Sequence, residues 1–563
     1  MNIGLRFGGS CHMIRIKTIV GHCTSNYQGR STDRLISSSS ARDRVYSLNM
    51  DTDPTPNSDS TSQLLHANSY GSTGSEQSTA GIIVIGDEIL KGQTLDTNSN
   101  FICKKLFSLG VKVQKISVIC DDVNTIAEEV KQFSGKFTHV ITSGGIGPTH
   151  DDMTFEGVAK AFGLQTQHHP KLVQLITDWF HTSDLNSAEM KMARIPEGAK
   201  LTFGIDPKTK QEARYPLVSI KNVYMFPGVP SLLERAFLML GHLFQNPNVQ
   251  FHTVDLYVNK DEASIAAATA QVAEKYKDTV AIGSYPDLFN SYYKVKLTLD
   301  SVNVRSLQEA QKELYDSMPA GSVIAYDKDP IGSAVSRIYN IVDDADLKDP
   351  FKACVRSAVA TLERALEIYQ LSEICIGFNG GKDCTVMLHL WYAVVKKKFP
   401  EYSDKLQALY IRSRCPFPEV EKFVQLSRDR YSLQMIHYDG RIKESLATLK
   451  VKQPFVKAVI MGTRKTDPCS DQLKEFSMTD ADWPQFMRIN PLLEWHYKHV
   501  WQFLRQLCLP YCSLYDRGYS SLGSMDNTHP NPLLQYIDDR GVLAYKPAYL
   551  LEHGERERDG RNK

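Results

Sequence analysis

Short apolar runs separated by stretches of helical period fill most of this chain, which is the rhythm of α/β domains. Residues 374–378 (ICIGF) have the length and β-branched content of a strand buried in a parallel sheet. Val386, Met387, Leu390 and Trp391 then fall on one face of a helix. Residues 409–412 and 459–463 predict two further strands in this half, and 81–85 and 139–142 predict strands in the first half. Between the halves, 254–258 and 294–299 alternate as strands do, while 262–275 and 307–318 carry helical spacing. That succession predicts a small α+β unit over 250–325. Residues 326–349, ending in the acidic run 343–346, read as a linker. Residues 51–79 are Ser, Thr, Asp, Gly and Asn with few apolar positions, and predict a disordered linker.

The strand at 374–378 runs into Asn379-Gly380-Gly381-Lys382-Asp383. Glycines at a strand-to-helix turn let backbone amides face outward where the helix dipole is positive. Lys382 adds a full charge, so the turn reads as a phosphate cradle flanked by Phe378. A plain Gly-Gly turn with an exposed Lys-Asp pair is the blander alternative. The loop is too short for a Walker A sequence and does not match G-x-G-x-x-G. It resembles the pyrophosphatase loop of the adenine nucleotide α-hydrolase superfamily, with Asn379 where that superfamily usually has Ser.

Five more blocks follow: LYIRSRCPFPEVE at 409–421, MGTRKTDP at 461–468, WPQFMRINPLL at 483–493, YDRGYSSLG at 515–523 and PAYLLE at 547–552. On their own chemistry, Arg412, Arg414, Arg464, Lys465, Arg488 and Arg517 offer cationic forks for phosphate. Phe417, Trp483, Phe486, Tyr515 and Tyr519 offer flat faces for a ring, Trp483 first among them. In this order the six blocks resemble the eukaryotic FAD synthase (FMN adenylyltransferase) family over residues 350–552. The resemblance implies a C-terminal α/β domain over 350–563 with a parallel sheet like that of phosphoadenosine-phosphosulfate reductases. It also implies transfer of AMP from ATP to FMN, giving FAD and pyrophosphate. Lys382, Asp383, Arg464, Asp467 and Arg517 would then be catalytic. Phe378, Asn379, Gly380, Gly381, Arg412, Gly462, Thr463, Trp483 and Arg488 would bind ATP or FAD. Mg²⁺ would accompany ATP, with Asp383 and Asp467 as residues able to orient the phosphates or hold the metal through water. The alternative is a sulfur enzyme of the reductase type, which needs a reactive cysteine near the C-terminus. No cysteine follows Ser524, and Cys508, Cys512 and Cys384 sit in apolar or helix-start settings.

In the first half, Gly86-Asp87-Glu88 follows one strand and Gly144-Gly145-Ile146-Gly147-Pro148-Thr149-His150-Asp151-Asp152 follows another. The glycines leave room for a phosphate, and the acidic pairs suit a divalent cation or serve as plain helix caps. With MFPGVPSLLE at 225–234, these blocks resemble the molybdopterin-binding domain of competence/damage-inducible proteins, over residues 80–245. A three-layer α/β domain is implied, with Asp87, Glu88, Asn98, Gly144, Gly145, Gly147, Thr149, Asp151 and Asp152 around its site. Hydrolysis of a nucleotide-type pyrophosphate such as FAD is one implied activity, with a second divalent cation. A regulatory or dimerising module and molybdopterin adenylylation are the other two.

At 563 residues and net charge +1, the chain has room for several cores and no charge bias toward nucleic acid or a charged membrane surface. Eleven cysteines show no metal-ligand spacing, and no run of 18 apolar residues occurs. The expected partners are ATP and FMN, with apo-flavoproteins as takers of FAD and a homo-oligomer left open. Arg6, Arg15, Lys17, Arg30, Arg34, Arg42 and Arg44 against Asp33 and Asp43 give residues 1–50 the composition of a mitochondrial transit peptide. Met50 would start a cytoplasmic form, and a basic tail is the simpler reading of the same residues.

Overall fold

The computed structural model describes residues 78–562 other than 208 and 347. The transit segment expected over 1–50 lies outside the described residues, as does almost all of the linker expected over 51–79. Among the described residues, no helix is long and apolar enough to cross a membrane. The described residues form two compact units, one within residues 78–252 with 301–304 and the other within residues 253–300 with 305–562.

The first unit contains strands β1 (Thr79–Ile85), β2 (Lys112–Ile119), β3 (His139–Ser143), β4 (Thr166–His168), β5 (Arg194–Pro196), β6 (Lys200–Thr202), β7 (Leu217–Ile220) and β8 (Val223–Phe226). Its main sheet has the order β2-β1-β3-β8-β7-β6. β1 runs parallel to β2 and β3, and β3 parallel to β8, with β7 and β6 antiparallel beyond. β1 is buried from Ala80 onward because both faces are covered, which explains its unbroken apolar run. Ile83, Ile85 and Val140 pack with Ile126, Val130 and Val158 of the helices Val123–Lys136 and Thr154–Ala161. Ile82, Val84 and Ile141 pack on the other face with Ile102, Leu106, Phe237 and Leu240 of the helices Asn98–Ser108 and Pro230–Leu240. Alternate residues of each strand thus feed two cores, and the result is a three-layer α/β sandwich.

In the second unit, β9 (His252–Val258), β10 (Ala281–Pro286), β11 (Val295–Ser301) and β12 (Val323–Ile324) form a sheet in the order β10-β11-β9-β12. The helices Glu262–Lys275 and Val304–Ser317 bury Ile265, Val272, Leu307 and Leu314 against it. A larger sheet follows, built from β13 (Ile374–Gly377), β14 (Leu406–Arg412), β15 (Leu433–Asp439), β16 (Ala458–Ile460), β17 (Phe476–Met478) and β18 (Met487–Ile489). Its order is β15-β14-β13-β16-β18-β17, parallel throughout except for β17. A last hairpin pairs β19 (Gln535–Ile537) with β20 (Leu543–Tyr545). The helix Lys382–Lys398 is apolar on more than the one face its spacing predicts. It is buried from Val386 to Leu390 and again at Trp391 and from Ala393 to Val395, lying among the helices Ala334–Val342, Pro350–Ile368 and Tyr497–Gln506.

One boundary needs correction. The stretch 326–349, expected to be a linker, holds the helix Ala334–Val342, and Ala334, Ile338 and Ile341 are part of the core. Their spacing of four and three residues supplies the buried stripe; the polar positions between them and the acidic run beyond conceal it.

Candidate functional site

β13 lies at the point where the second unit's parallel sheet changes direction: β14 and β15 extend to one side, β16 and β18 to the other. The carboxyl ends of strands flanking such a point are where open α/β sheets hold ligands. The loop after β13 and the loop after β16 meet there. Gly380 has φ +75°, and a Cβ on it would stand 3.1–3.6 Å from Val424, Val420 and Phe423 of the helix Pro418–Arg430. A residue with a side chain is therefore excluded by backbone conformation and crowded by a helix. A Cβ on Gly462 would lie 3.2 Å from the backbone of Asp383 and Cys384, so that glycine lets the second loop close on the helix start. Asn379 accepts from the Gly381 amide (2.9 Å), and Tyr515 Oη accepts from the Lys382 amide (2.8 Å). These two amides, expected to be free for phosphate, already have partners within the chain.

The side chains of the two loops converge in a buried ionic cluster. Lys382 is 3% exposed and its Nζ lies 3.1 Å from Asp383 and 2.8 Å from Glu557. Arg464, 2% exposed, is paired with Asp383 (2.9 Å), with Asp467 (3.7 Å) and with Glu557. Arg558 reaches Asp467 at 3.0 Å. Burial by itself would raise the Asp383 pKa, but the adjoining Lys382 and Arg464 charges outweigh it and hold the carboxyl below the ordinary range. Burial likewise opposes the charge on Arg464, and Asp383 and Glu557 more than restore it. Lys382, Arg464 and Arg558 thus face Asp383, Asp467 and Glu557, three cations against three anions.

Lys382, Asp383, Gly462, Arg464 and Asp467 are therefore brought together, and Phe378 is buried. Thr463 lies in the same loop as Gly462 and Arg464. Arg412 and Arg517 stand near the start of the helix Pro418–Arg430, paired with Glu421 (3.4 Å) and Glu419 (2.9 Å). Trp483 and Arg488 depart from expectation. The turn from β17 to β18 lies at the amino edge of the parallel strands, opposite the loops after β13 and β16, because β18 runs parallel to β16 and Met487 is level with Ala458. Trp483 sits in that turn, with Lys443 5.7 Å from its ring, and Arg488 bonds back to the Met478 carbonyl and Asp480. Their closeness in sequence to strand β18 does not carry them to its carboxyl end. Phe417, Phe486 and Tyr515 are core residues rather than stacking surfaces.

Glu557 was missed altogether. It falls in the charged stretch Glu555-Arg556-Glu557-Arg558-Asp559, where nothing in the sequence marks one acid as buried. Tertiary contacts put it there: its carbonyl accepts from Ser520 (2.6 Å), and fully buried Asn531 donates to the Arg556 carbonyl (2.9 Å). Cys384 is pushed up to about 12 by burial, and Cys512 to about 11, which leaves both as inert thiols at neutral pH. As to metal, Asp383 and Asp467 are oxygen donors of the right chemistry for Mg²⁺, but Lys382 and Arg464 engage the first, and Arg464 and Arg558 the second. Among the described residues no three acidic, His or Cys side chains are grouped to hold an ion.

The first unit holds its candidate residues at the equivalent place, the carboxyl ends of β1 and β3, between which its sheet order also reverses. Gly144 has φ +108° and a Cβ there would meet the Ile85 carbonyl oxygen at 2.1 Å, so only glycine fits. A Cβ on Gly145 would strike Thr154 Oγ1 at 2.3 Å. Asn98 is buried, donating to Ser143 (3.0 Å) and the Gly228 carbonyl (2.8 Å). Asp152 accepts from the Thr149 amide (2.9 Å) and hydroxyl and lies against Gly147, so one of its oxygens closes the loop. Asp151 is exposed, and Asp87 pairs with Lys91 (2.8 Å). Two further residues belong to the site. Asp121, just past β2, accepts from the Asp87 amide (2.9 Å), and its pKa is raised by burial and by the charges of Glu88, Asp87 and Asp151. An acidic pair directly after a strand was a readable signal for it. Lys191 donates to the Thr149 carbonyl (2.7 Å) and pins the loop from a distant segment, which no local pattern announces.

Three family patterns match the chain. "Probable molybdopterin binding domain" covers residues 81–245, "FAD synthase, middle domain" covers 250–327, and "Phosphoadenosine phosphosulfate reductase domain" covers 373–455 and 438–530. A "Probable FAD synthase" of Caenorhabditis elegans is 38% identical over 510 residues, spanning 86% of this chain and 98% of that protein. One of Schizosaccharomyces pombe is 38% identical over 205 residues, 36% of this chain and 76% of that protein. Among solved structures, a Candida glabrata FMN adenylyltransferase shares 27% identity and a TM-score of 0.38, covering 42% of this chain and 97% of that one.

Proposed function

The chain belongs to the FAD synthase family, and we propose that the buried Lys382–Arg464 cluster is where it joins FMN to the AMP moiety of ATP. The single observation that carries this reading is the convergence of two strand-end loops on two cations, each at least 97% buried. An oxygen of the FMN phosphate attacks the α-phosphorus of ATP, and the bond to the β-phosphate's bridging oxygen breaks, releasing pyrophosphate. The attacking phosphate is already ionised near neutral pH, so the site needs alignment and charge stabilisation rather than a protein nucleophile. Lys382 and Arg464 stabilise the departing pyrophosphate. Asp383 and Glu557 hold both cations in place, and Arg412 and Arg517 meet the second phosphate group. The cations and anions of the cluster balance, so positive charge beyond it would come with ATP as Mg²⁺, for which Asp383 and Asp467 are the nearest oxygen donors of the cluster.

The test is FAD formation by the full chain, followed chromatographically with matching pyrophosphate. Lys382→Ala is expected to lower the rate at least tenfold, about 1.4 kcal/mol of transition-state stabilisation. A Lys382→Ala, Asp383→Ala double variant that folds and works at full rate removes the cluster from the reaction.

For the first unit, the glycine cradle with acidic groups at the ends of parallel strands favours a cation-dependent pyrophosphatase acting on FAD. Asp87, Glu88, Asp121 and Asp151 are oxygen donors of suitable chemistry, but no three of them are grouped to hold an ion by themselves, so the phosphates of the ligand would have to complete its shell. Asp151→Ala with Asp152→Ala is expected to abolish FAD breakdown. If breakdown continues unchanged, the cradle is a regulatory or dimerising module instead. We also retain three proposals that rest on composition or chemistry: residues 1–50 direct the chain to the mitochondrion, with a cytoplasmic form starting at Met50; apo-flavoproteins take up the FAD; and the chain self-associates, which light scattering tests.

A further inference from the structure

The first unit carries a part-open cavity of about 360 Å³, within the range of about 300–1,000 Å³ of small-molecule pockets. Ile146, Trp179, Met192, Tyr215, Met225 and Ala236 make an apolar and aromatic part of its lining, and Gln211, Glu212, Arg214 and Arg235 make a polar part. The rings of Trp179 and Tyr215 lie 6.2 Å apart at 41°, and the Tyr215 hydroxyl is fixed by donating to the Met192 carbonyl (2.9 Å). Aromatic faces and polarisable thioethers together suit a flat heteroaromatic ring.

The cavity adjoins the glycine cradle. Ile146, in its wall, stands between Gly145 and Gly147, and Pro227, also in its wall, precedes Gly228. A Cβ on Gly228 would come within 3.2 Å of the Gly144 backbone, so the two features share a boundary. At that boundary sits Asn98, only 8% exposed, whose amide group is bonded to Ser143 and Gly228. Its Oδ1 is buried and has no hydrogen-bond partner. A buried acceptor left without a donor is costly, and a sugar hydroxyl on a ligand crossing from cradle to cavity would satisfy it.

We propose that this cavity receives the flat heteroaromatic end of a pyrophosphate-linked dinucleotide whose phosphates lie on the Gly144–Gly147 cradle. The proposal rests on the pyrophosphate role given above to that cradle, and adds where the ring goes. The shared chemistry is a planar nitrogen heterocycle; isoalloxazine and adenine are its two sources in FAD.

The experiment measures FAD binding to the full chain by equilibrium dialysis in chelator, where no breakdown occurs. The wild-type chain is expected to take up one molecule more than the Ala236→Trp variant, in which an indole fills the cavity. Trp179→Ala, which removes a wall without filling the space, is expected to weaken that extra site at least about tenfold. Equal uptake by wild type and a folded Ala236→Trp overturns the proposal; if Ala236→Trp does not fold, unchanged affinity in Trp179→Ala does so. Competition by riboflavin or by adenosine, present in the wild type and lost in Ala236→Trp, identifies the ring. FAD breakdown with Mn²⁺ separates the two readings. Extra binding without breakdown leaves the cavity standing and removes the pyrophosphatase, whereas breakdown with unchanged KM in Ala236→Trp removes the cavity and leaves the pyrophosphatase.

Discussion

The two units solve the same topological problem with opposite electrostatics. Each places glycine loops at the carboxyl ends of parallel strands, where the sheet order reverses. In the second unit the loops carry Lys382 and Arg464, buried and matched to acids. In the first they carry Asp87, Glu88 and Asp151, with Asp121 close by, and Asp151 stands exposed. A buried cation needs fixed counter-charges to exist in the fold at all, so the second site is built into the core. An exposed acid is stabilised by water, so the first site can carry acids such as Asp151 without fixed counter-charges. The same strand ends thus yield a buried, charge-matched site in one place and a more open, acidic one in the other.

If that contrast is right, the second site should be inseparable from stability. Arg464→Met leaves Asp383 and Glu557 without their guanidinium and is expected to cost about 3–5 kcal/mol, as a large loss in denaturant midpoint. A variant as stable as wild type would mean the cluster is not structural. Glu557→Gln keeps the shape and removes the charge that holds Lys382 and Arg464; about 1–3 kcal/mol should be lost. In the same variant kcat for FAD formation is expected to fall about tenfold with no rise in KM for ATP, since alignment rather than binding is lost. A rise in KM at constant kcat would make Glu557 a binding residue instead.

Burial shows its cost a third way at His389, on the helix that opens with Lys382. Its Nδ1 lies 3.0 Å from the Tyr431 hydroxyl, its Nε2 has no hydrogen-bond partner, and burial holds its pKa down to about 3 against an ordinary 6.5. Below the ordinary value the unfolded chain takes a proton that the folded chain refuses. Stability should therefore fall as pH drops from 6.5 toward 3, by up to about 1.4 kcal/mol per pH unit from this group. His389→Phe is expected to flatten the fall of melting temperature between neutral pH and pH ~5; an unchanged slope would assign it to other groups. At the first site the smallest effect is expected. Asp151→Ala should change stability by less than about 0.5 kcal/mol and leave FAD synthesis unaltered, because the carboxylate is exposed. A larger loss would show that this acid is as structural as those of the second unit.

Local chemistry explains which parts of this were legible beforehand. Gly144 and Gly380 could be singled out because φ above zero demands glycine, and β1 and β13 because a strand covered on both faces has no polar positions. The helix Ala334–Val342 was hidden since three buried residues spaced along a polar stretch look like a linker. Trp483 and Arg488 were misplaced for a related reason: motif order says which loops belong together but not at which end of a strand each one lies.

What the sequence determined by itself was therefore the strands that lead into the two glycine loops, those loops, and the cations and acids on them, because each depends on residues within one turn or strand. Only the tertiary structure decided that Glu557 closes the cation cluster from some 175 positions beyond Lys382, that Lys191 pins the acidic loop, and that Trp179 and Tyr215 leave a cavity between them. Those are contacts between segments far apart in the chain. Their energies come from burial and charge pairing in three dimensions, and no local pattern of residue types encodes them.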